Sequence, residues 1–189
     1  MWLRSITPSA TLSQGEDMWE NRGMRLATVF VAVGYAALSL AVSGARAQSV
    51  TLRGPTGQTR SVTAAELAAM PHQSASLVNE HGPAKRYEGV ALTDLLQSVG
   101  APAGKTLRGP ALADIVVVTA SDGYRVALGL GEIDPGVRSE KILLADRVEG
   151  APLPGGEGPF RLVIEGDLRP VRSARMVTAI AVEPAHPAN

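Results

Sequence analysis

The stretch that decides the fold is KILLADRVEGAPLPGGEGPFRLVIEGDLRPVRSARMVTAIAV, residues 141–182. Its apolar runs at 142–144 and 160–164 have the length and composition of buried strands. The glycines and prolines between these runs predict turns, and a β-branched run closes the stretch. From residue 161 onward the stretch carries the arginines Arg161, Arg169, Arg172 and Arg175. It therefore predicts a sheet whose connecting loops concentrate positive charge.

The order of residues in this stretch carries a family resemblance. The pattern LLAD…G.PLP…GP.RLV…GD.RP.RS.RMV..I.V resembles the C-terminal half of the oxidoreductase molybdopterin-binding domain, the cofactor domain of the sulfite oxidase family. Upstream, YEGVALTDLL (87–96), the strand at 115–119, and SDGYR (121–125) with LGEIDP (130–135) fit the same pattern. The resemblance spans residues 50–182 and is strongest to small, stand-alone, exported bacterial members. It implies a sulfite-oxidase-like α+β fold with a mixed sheet that binds a molybdopterin-type cofactor.

Residue patterns alone predict the same fold class. We count six or seven strand candidates and two short helices without regular β-α alternation, which favours an α+β domain with a mixed sheet. The first helix, 64–69, follows a capping box formed by Thr63 and Glu66. The second, 91–99, has an apolar stripe at helical spacing. The β-branched run 115–118 predicts a strand covered on both faces, which returns through a hairpin at 124–128.

The N-terminal region predicts export. Residues 24–47 combine one positive residue, a long uncharged apolar run and a terminal Ala-Arg-Ala, which is typical of a cleaved signal peptide. The alternative is a transmembrane anchor, because the run is long enough to span a bilayer. Residues 1–23 are interpreted as an unstructured extension or a mis-assigned start. We expect one domain at 48–183, a frayed tail at 184–189, a periplasmic or otherwise exported location, and no transmembrane segment once the signal peptide is cleaved.

Composition excludes several classes of function. The chain has 18 Lys and Arg against 18 Asp and Glu, so no net field attracts nucleic acid. It has no cysteine, which removes disulfides, thiol nucleophiles and thiolate ligands. Its three histidines are scattered in sequence, so no metal site is predicted.

The arginines are the strongest chemical signal, because forked guanidinium groups suit phosphate or carboxylate ligands. In the family, a Lys-Ser-x-Lys-Trp type of motif helps to hold the pterin and phosphate of the cofactor, and here it reads Arg172-Ser173-Ala174-Arg175-Met176. The resemblance also places the 121–125 hairpin on the ligand side. The predicted cofactor-binding residues are Arg161, Arg169, Arg172, Ser173, Arg175, Asp122, Gly123 and Tyr124. The alternative is that the arginines pair with nearby acids such as Glu165 and Asp167, and that Asp122 and Gly123 only form a turn.

Two departures from the family pattern bear on activity. Catalytic members have a molybdenum-binding cysteine near the end of the 74–78 strand, where this chain has Leu77, Val78 and Asn79. None of these supplies a soft anionic ligand, so thiolate ligation of the sulfite oxidase type is not expected. A His-Gly pair that often precedes the Arg161 strand is replaced by Glu157-Gly158.

Two functions from different classes follow. The first is an exported oxidoreductase component that binds a molybdopterin-type cofactor through an arginine-lined cleft and works with an electron-transfer or membrane partner in the envelope. The second is a cofactor-free periplasmic module that binds an anionic small molecule or a partner protein. Enzymatic activity is implied by the resemblance alone, because activity depends on the site and not on the fold.

Overall fold

The computed structural model describes residues 48–79 and 82–185. The predicted extension at 1–23, the predicted signal peptide at 24–47 and residues 186–189 of the predicted frayed tail lie outside the described residues. Ala185, in the same predicted tail, donates a backbone hydrogen bond to Asp114 Oδ1 at 3.1 Å. In the described part of the chain, no helix has both the length and the apolar character needed to cross a bilayer.

The first of two five-stranded sheets has the order β2-β1-β10-β5-β6. Its strands are β1 (Ser49–Arg53), β2 (Thr59–Thr63), β5 (Ile115–Ala120), β6 (Arg125–Gly129) and β10 (Val177–Glu183). β1 and β10 pair in parallel, and the other neighbours are antiparallel, so the sheet is mixed as predicted. β5 lies inside the sheet with Val116, Val117 and Val118 buried, which confirms the prediction of a strand covered on both faces.

The second sheet consists of β3 (Gln73–Asn79), β4 (Gly82–Ala91), β7 (Ile142–Val148), β8 (Ala151–Pro152) and β9 (Arg161–Ile164). β7 is its centre, because β4 pairs along one edge of this strand while β8 and β9 pair along the other. The sheet curls so that β3 approaches β9. Side chains close this seam: Ser76 N donates to Glu165 Oε1 at 3.0 Å, and Lys141 Nζ donates to the Ser74 carbonyl at 2.8 Å.

The curl buries both faces of the second sheet. One face packs against the first sheet and the two helices in the main core, which includes Leu144, Phe160, Leu162 and Ile180. The other face holds a smaller cluster of Ala75, Leu77, Tyr87, Leu143, Ala145 and Val163. Alternation along β9 therefore places Leu162 and Ile164 in the main core and Arg161 on the side of the smaller cluster.

The helices are short and close to their predicted positions. α1 (Ala64–Ala69) has the predicted capping box, with Glu66 N donating to Thr63 Oγ1 at 3.2 Å and Thr63 N donating to the Glu66 carboxylate at 2.7 Å. α2 (Leu92–Gln97) ends two residues before the predicted end at 99, in a turn where Ser98 Oγ donates to the Leu95 carbonyl. The described residues also form four 3₁₀ helices, at Gly104–Thr106, Gly109–Ala113, Leu130–Ile133 and Pro170–Arg172.

The expected number of strands was too low. The described residues contain ten strands instead of six or seven, while the two α-helices were expected. Most of the difference comes from β2, β4 and β8. β4 was not predicted as a strand because residues 82–86 are all exposed and show no apolar alternation. Pairing with β3 extends the strand through these residues.

Candidate functional site

Arg161 is the buried charge around which the candidate site is built. It is 4% exposed, although arginine is rarely buried unless it is paired. Its Nη1 donates to the Tyr87 hydroxyl at 2.8 Å and to Glu157 Oε2, and its guanidinium carbon lies 5.0 Å from the centre of the Tyr87 ring. Among the described residues, Arg161 Nε has no hydrogen-bond partner. Nη1 of this side chain therefore has two acceptors, and its Nε has none.

Glu157 is the counter-ion of Arg161. Its Oε2 also accepts from the Tyr87 hydroxyl at 3.1 Å. Burial would raise the pKa of Glu157, but the hydrogen bond and charge of Arg161 outweigh it and hold this pKa below its usual value. Burial also raises the pKa of Tyr87, against the lowering effect of the Arg161 charge. Glu157 is therefore ionised and Tyr87 neutral at pH 7.

The backbone of Met176 joins the loops around this group. Met176 N donates to the Glu157 carbonyl at 2.9 Å, and the Met176 carbonyl accepts from Ser121 N at 2.9 Å. Its φ of 49° lies in the left-handed region, which costs of order 1–3 kcal/mol for a residue other than glycine. These contacts fix the Glu157 turn and the β5–β6 hairpin on either side of Arg175.

Two adjoining clefts share Arg161, Pro170 and Arg175 in their walls. The first cleft has an empty volume of about 510 Å³. Its lining residues are Leu77, Val78, Asn79, Lys85, Tyr87, Glu157, Arg161, Pro170 and Arg175. The side chains of Lys85, Arg161 and Arg175 outnumber the carboxylate of Glu157, so this cleft carries a net positive charge.

The second cleft has an empty volume of about 760 Å³ and contains most of the predicted site residues. Its lining residues are Ala120, Asp122, Tyr124, Gly156, Arg161, Pro170, Val171, Ser173, Ala174, Arg175 and Met176. The Tyr124 hydroxyl donates to the Val171 carbonyl at 2.7 Å, which ties the hairpin to the arginine loop. Ser173 is buried, and its Oγ accepts from Ile164 N at 3.2 Å. Ser173 therefore supports the wall of the cleft.

Arg172 takes a different place from the one its motif suggested. Its Nε and Nη2 make a forked contact with the Asp167 carboxylate at 3.0 and 2.7 Å, and its Nη1 donates to Glu132 Oε1 at 3.0 Å. The hydrogen bonds to Asp167 raise the pKa of Arg172 above its usual value, and the contact with Glu132 adds to this. Arg172 therefore clamps its own loop to the 3₁₀ helix at Leu130–Ile133, and it lines neither cleft.

The remaining predicted residues form the surroundings of the clefts. Arg169 is exposed and outside the lining of both clefts. Asp122 Oδ1 accepts from Tyr124 N at 2.9 Å, and Gly123 has a φ of 85° that suits glycine in this turn. The turn that Asp122 and Gly123 were expected to form is thus present, while Asp122 also faces the second cleft.

Arg175 differs from Arg161 and Arg172 in having no ion pair with a carboxylate among the described residues. It is exposed and lies between the two clefts. Among the described residues, no carboxylate lies within ion-pair distance of its guanidinium, and no side-chain hydrogen bond involves it. Its charge still contributes to lowering the pKa values of Glu157 and Tyr87, so it lies close to both. Arg175 is therefore a donor that remains available to an anion.

Sequence reasoning missed Tyr87, Lys85 and Asn79 as site residues and treated Glu157 only as a departure from a family pattern. Tyr87 and Glu157 are 70 positions apart and meet only through the pairing of β4, β7 and β9. No local motif connects them. The available signal was the alternation in β9, which placed Arg161 away from Phe160 and thus toward a polar neighbourhood.

No family model matches the chain, and no curated protein matches it in sequence. Among solved structures, its fold is similar to that of the sulfane dehydrogenase SoxCD from Paracoccus pantotrophus, with a TM-score of 0.54 and 16% sequence identity. The match covers 72% of this chain and 38% of that chain. This similarity supports the sulfite-oxidase-like α+β fold predicted from the sequence. At this identity it shows the fold alone.

The donors of the site fit one part of a molybdopterin-type cofactor. Arg161 Nε without an acceptor and the guanidinium of Arg175 suit phosphate or carboxylate oxygens. Leu77, Val78 and Asn79, which the sequence resemblance aligns with the thiolate position, line the first cleft. Within the described ranges, no three His, Cys, Asp or Glu side chains are grouped as metal ligands. The residues fit the anionic end of such a cofactor and do not fit protein thiolate ligation of its metal.

Proposed function

We propose that this chain is an exported binding module whose paired clefts hold an anionic small molecule through Arg161 and Arg175, with a molybdopterin-type cofactor as the first candidate. In this role it serves as an oxidoreductase component together with an electron-transfer or membrane partner in the envelope. The fold similarity to a sulfane dehydrogenase supports the redox context. The signal-peptide pattern at residues 24–47 supports export.

A single observation carries the proposal: the arginines that line or border the clefts are unequally compensated by carboxylates. Arg172 has two carboxylates and Arg161 has one, whereas Arg175 has none within ion-pair distance among the described residues. An exposed guanidinium between two clefts, next to a buried Nε that lacks an acceptor, is the arrangement an anion would complete. The second cleft lies beside it and is open to the rest of such a molecule.

The test is metal and pterin analysis of the protein purified from the envelope of its own cell. Wild type is compared with Arg175→Ala and with Arg108→Ala, a control that removes an exposed arginine outside both clefts. We expect stoichiometric pterin in the wild type and the control, and loss in Arg175→Ala. A folded wild-type protein that carries no pterin would refute the proposal that the clefts bind a molybdopterin-type cofactor.

A cofactor-free module is the second candidate, and Glu157 favours it. Where related proteins often have a histidine, Glu157 puts a carboxylate against Arg161 and takes up one of its nitrogens. A negative charge there repels the phosphate of a cofactor and leaves the first cleft suited to smaller anions or to an acidic group of a partner protein. Recovery of a pterin-free protein that binds small anions in an Arg175-dependent way would favour this candidate over the first.

A further inference from the structure

The first cleft contains two opposite charges that approach each other without pairing. Arg175 lies close enough to help lower the pKa of Glu157. Yet no ion pair or hydrogen bond joins the two side chains, although both line this cleft. Opposite charges that line one cleft without pairing are complementary to a ligand that has both an acidic group and a donor.

Glu157 has an oxygen available for such a donor. Its Oε2 accepts from the Tyr87 hydroxyl and from Arg161 Nη1. Its Oε1 has no hydrogen bond to any described residue, and the side chain is 17% exposed at the cleft wall. A carboxylate oxygen in this position accepts a hydroxyl or ammonium hydrogen and cannot donate one while it is ionised.

From this geometry we propose that the ligand of the first cleft is an organic acid with a hydroxyl or ammonium group next to its acidic group. The acidic group binds the guanidinium of Arg175, and the adjacent donor binds Glu157 Oε1. Glu157 is then a specificity-determining residue of the first cleft: it selects against acids that lack the donor. This inference rests on the proposed binding of an anion by Arg175.

The test compares two probes that differ only in the donor. Glycolate has a hydroxyl beside its carboxylate, and acetate has a hydrogen atom there. Titration of the ¹⁵N-labelled full chain with each, followed by amide chemical shifts at Arg175, Met176 and Gly158, gives the affinity and the location together. We expect glycolate to bind about tenfold more tightly, because hydrogen bonds to ionised groups are the strong ones.

Glu157→Gln supplies the matched variant. The amide oxygen of the glutamine must face the donors of Arg161 and Tyr87, so its amide nitrogen, a donor, faces the cleft. We expect the preference for glycolate to shrink, because the hydrogen bond to an ionised acceptor is lost, and acetate to bind more tightly than it does to wild type. Glu183→Gln, which changes an exposed carboxylate 3.7 Å from Arg125, should keep the preference.

The outcomes separate the two proposals. Arg175-dependent binding of both acids with equal affinity would overturn the donor inference and leave the anion cleft intact. Absence of any shift with either acid would overturn this inference, while the pterin analysis would still decide the proposed function. A preference for glycolate that persists undiminished in Glu157→Gln would also overturn the role of Glu157. The wild-type comparison decides the ligand class even where the variant does not fold.

Discussion

Removal of Glu157 is the sharpest test of how the buried charge of Arg161 is stabilised. In wild type, the side chain of Arg161 is 5% exposed and that of Glu157 is 17% exposed. Glu157→Ala would leave the guanidinium buried with only the hydroxyl and ring of Tyr87. We therefore expect a large loss of stability from this single substitution.

The magnitude follows from the asymmetry in burial. Breaking a buried ion pair by removing one partner costs about 3–5 kcal/mol, because the remaining charge stays without compensation. The reciprocal change, Arg161→Met, should cost about 1–3 kcal/mol, since Glu157 keeps the Tyr87 hydroxyl and is partly accessible to water. The double variant should be more stable than Glu157→Ala alone, because it removes both charges.

The assay is urea unfolding followed by far-UV circular dichroism, with linear extrapolation to water. Glu183→Ala is the control, because its pair with Arg125 is 3.7 Å long and both side chains are more than half exposed. It should change the free energy of unfolding by less than about 1 kcal/mol. A loss below about 1 kcal/mol for Glu157→Ala, or a double variant less stable than that single variant, would refute the reasoning.

Three further predictions concern pH and local geometry. The folded pKa of Glu157 is depressed, so ionised Glu157 stabilises the fold at neutral pH and this contribution is lost as the pH falls below about 4.5; acid unfolding curves of Glu157→Gln should be flatter there than those of wild type. Thr63→Ala removes the α1 cap and should lower the free energy of unfolding measured in urea by about 1 kcal/mol. An unchanged free energy of unfolding would show that the cap does not stabilise the fold. Gly89→Ala would place its Cβ 2.2 Å from the Leu144 carbonyl oxygen, so we expect a loss of about 1–3 kcal/mol or more, whereas Gly155→Ala, with open space around it, should be near neutral in the same measurement.

Features of the fold that depend on neighbouring residues could be predicted from the sequence. The capping box of α1 needs only Thr63 and Glu66, three positions apart, and it formed as expected. The run 115–118 predicted an interior strand, because unbroken β-branched residues are favoured where both faces are covered. β4 was missed because its exposed first half is a strand only through pairing with β3.

The candidate site was only partly predictable for the same reason. The sequence indicated that Arg161 and Arg175 could bind an anion, and both line the clefts. It gave Arg172 the same role, but the contact of Arg172 with Glu132 spans 40 positions and cannot be inferred from spacing. Which guanidinium remains available depends on which acids the fold brings near, and that is a property of the tertiary structure.

The two arginines of the clefts divide stability and binding between them. Arg161 is buried, so its charge would destabilise the ligand-free protein if a ligand were its only counter-ion. Glu157 supplies that counter-ion whether or not a ligand is bound. Arg175 is exposed and hydrated, so it can remain without a carboxylate when no anion is bound, and it loses little to reach one. A carboxylate at position 157 is therefore compatible with anion binding, provided that binding depends on Arg175 and that Glu157 sets which anions are accepted.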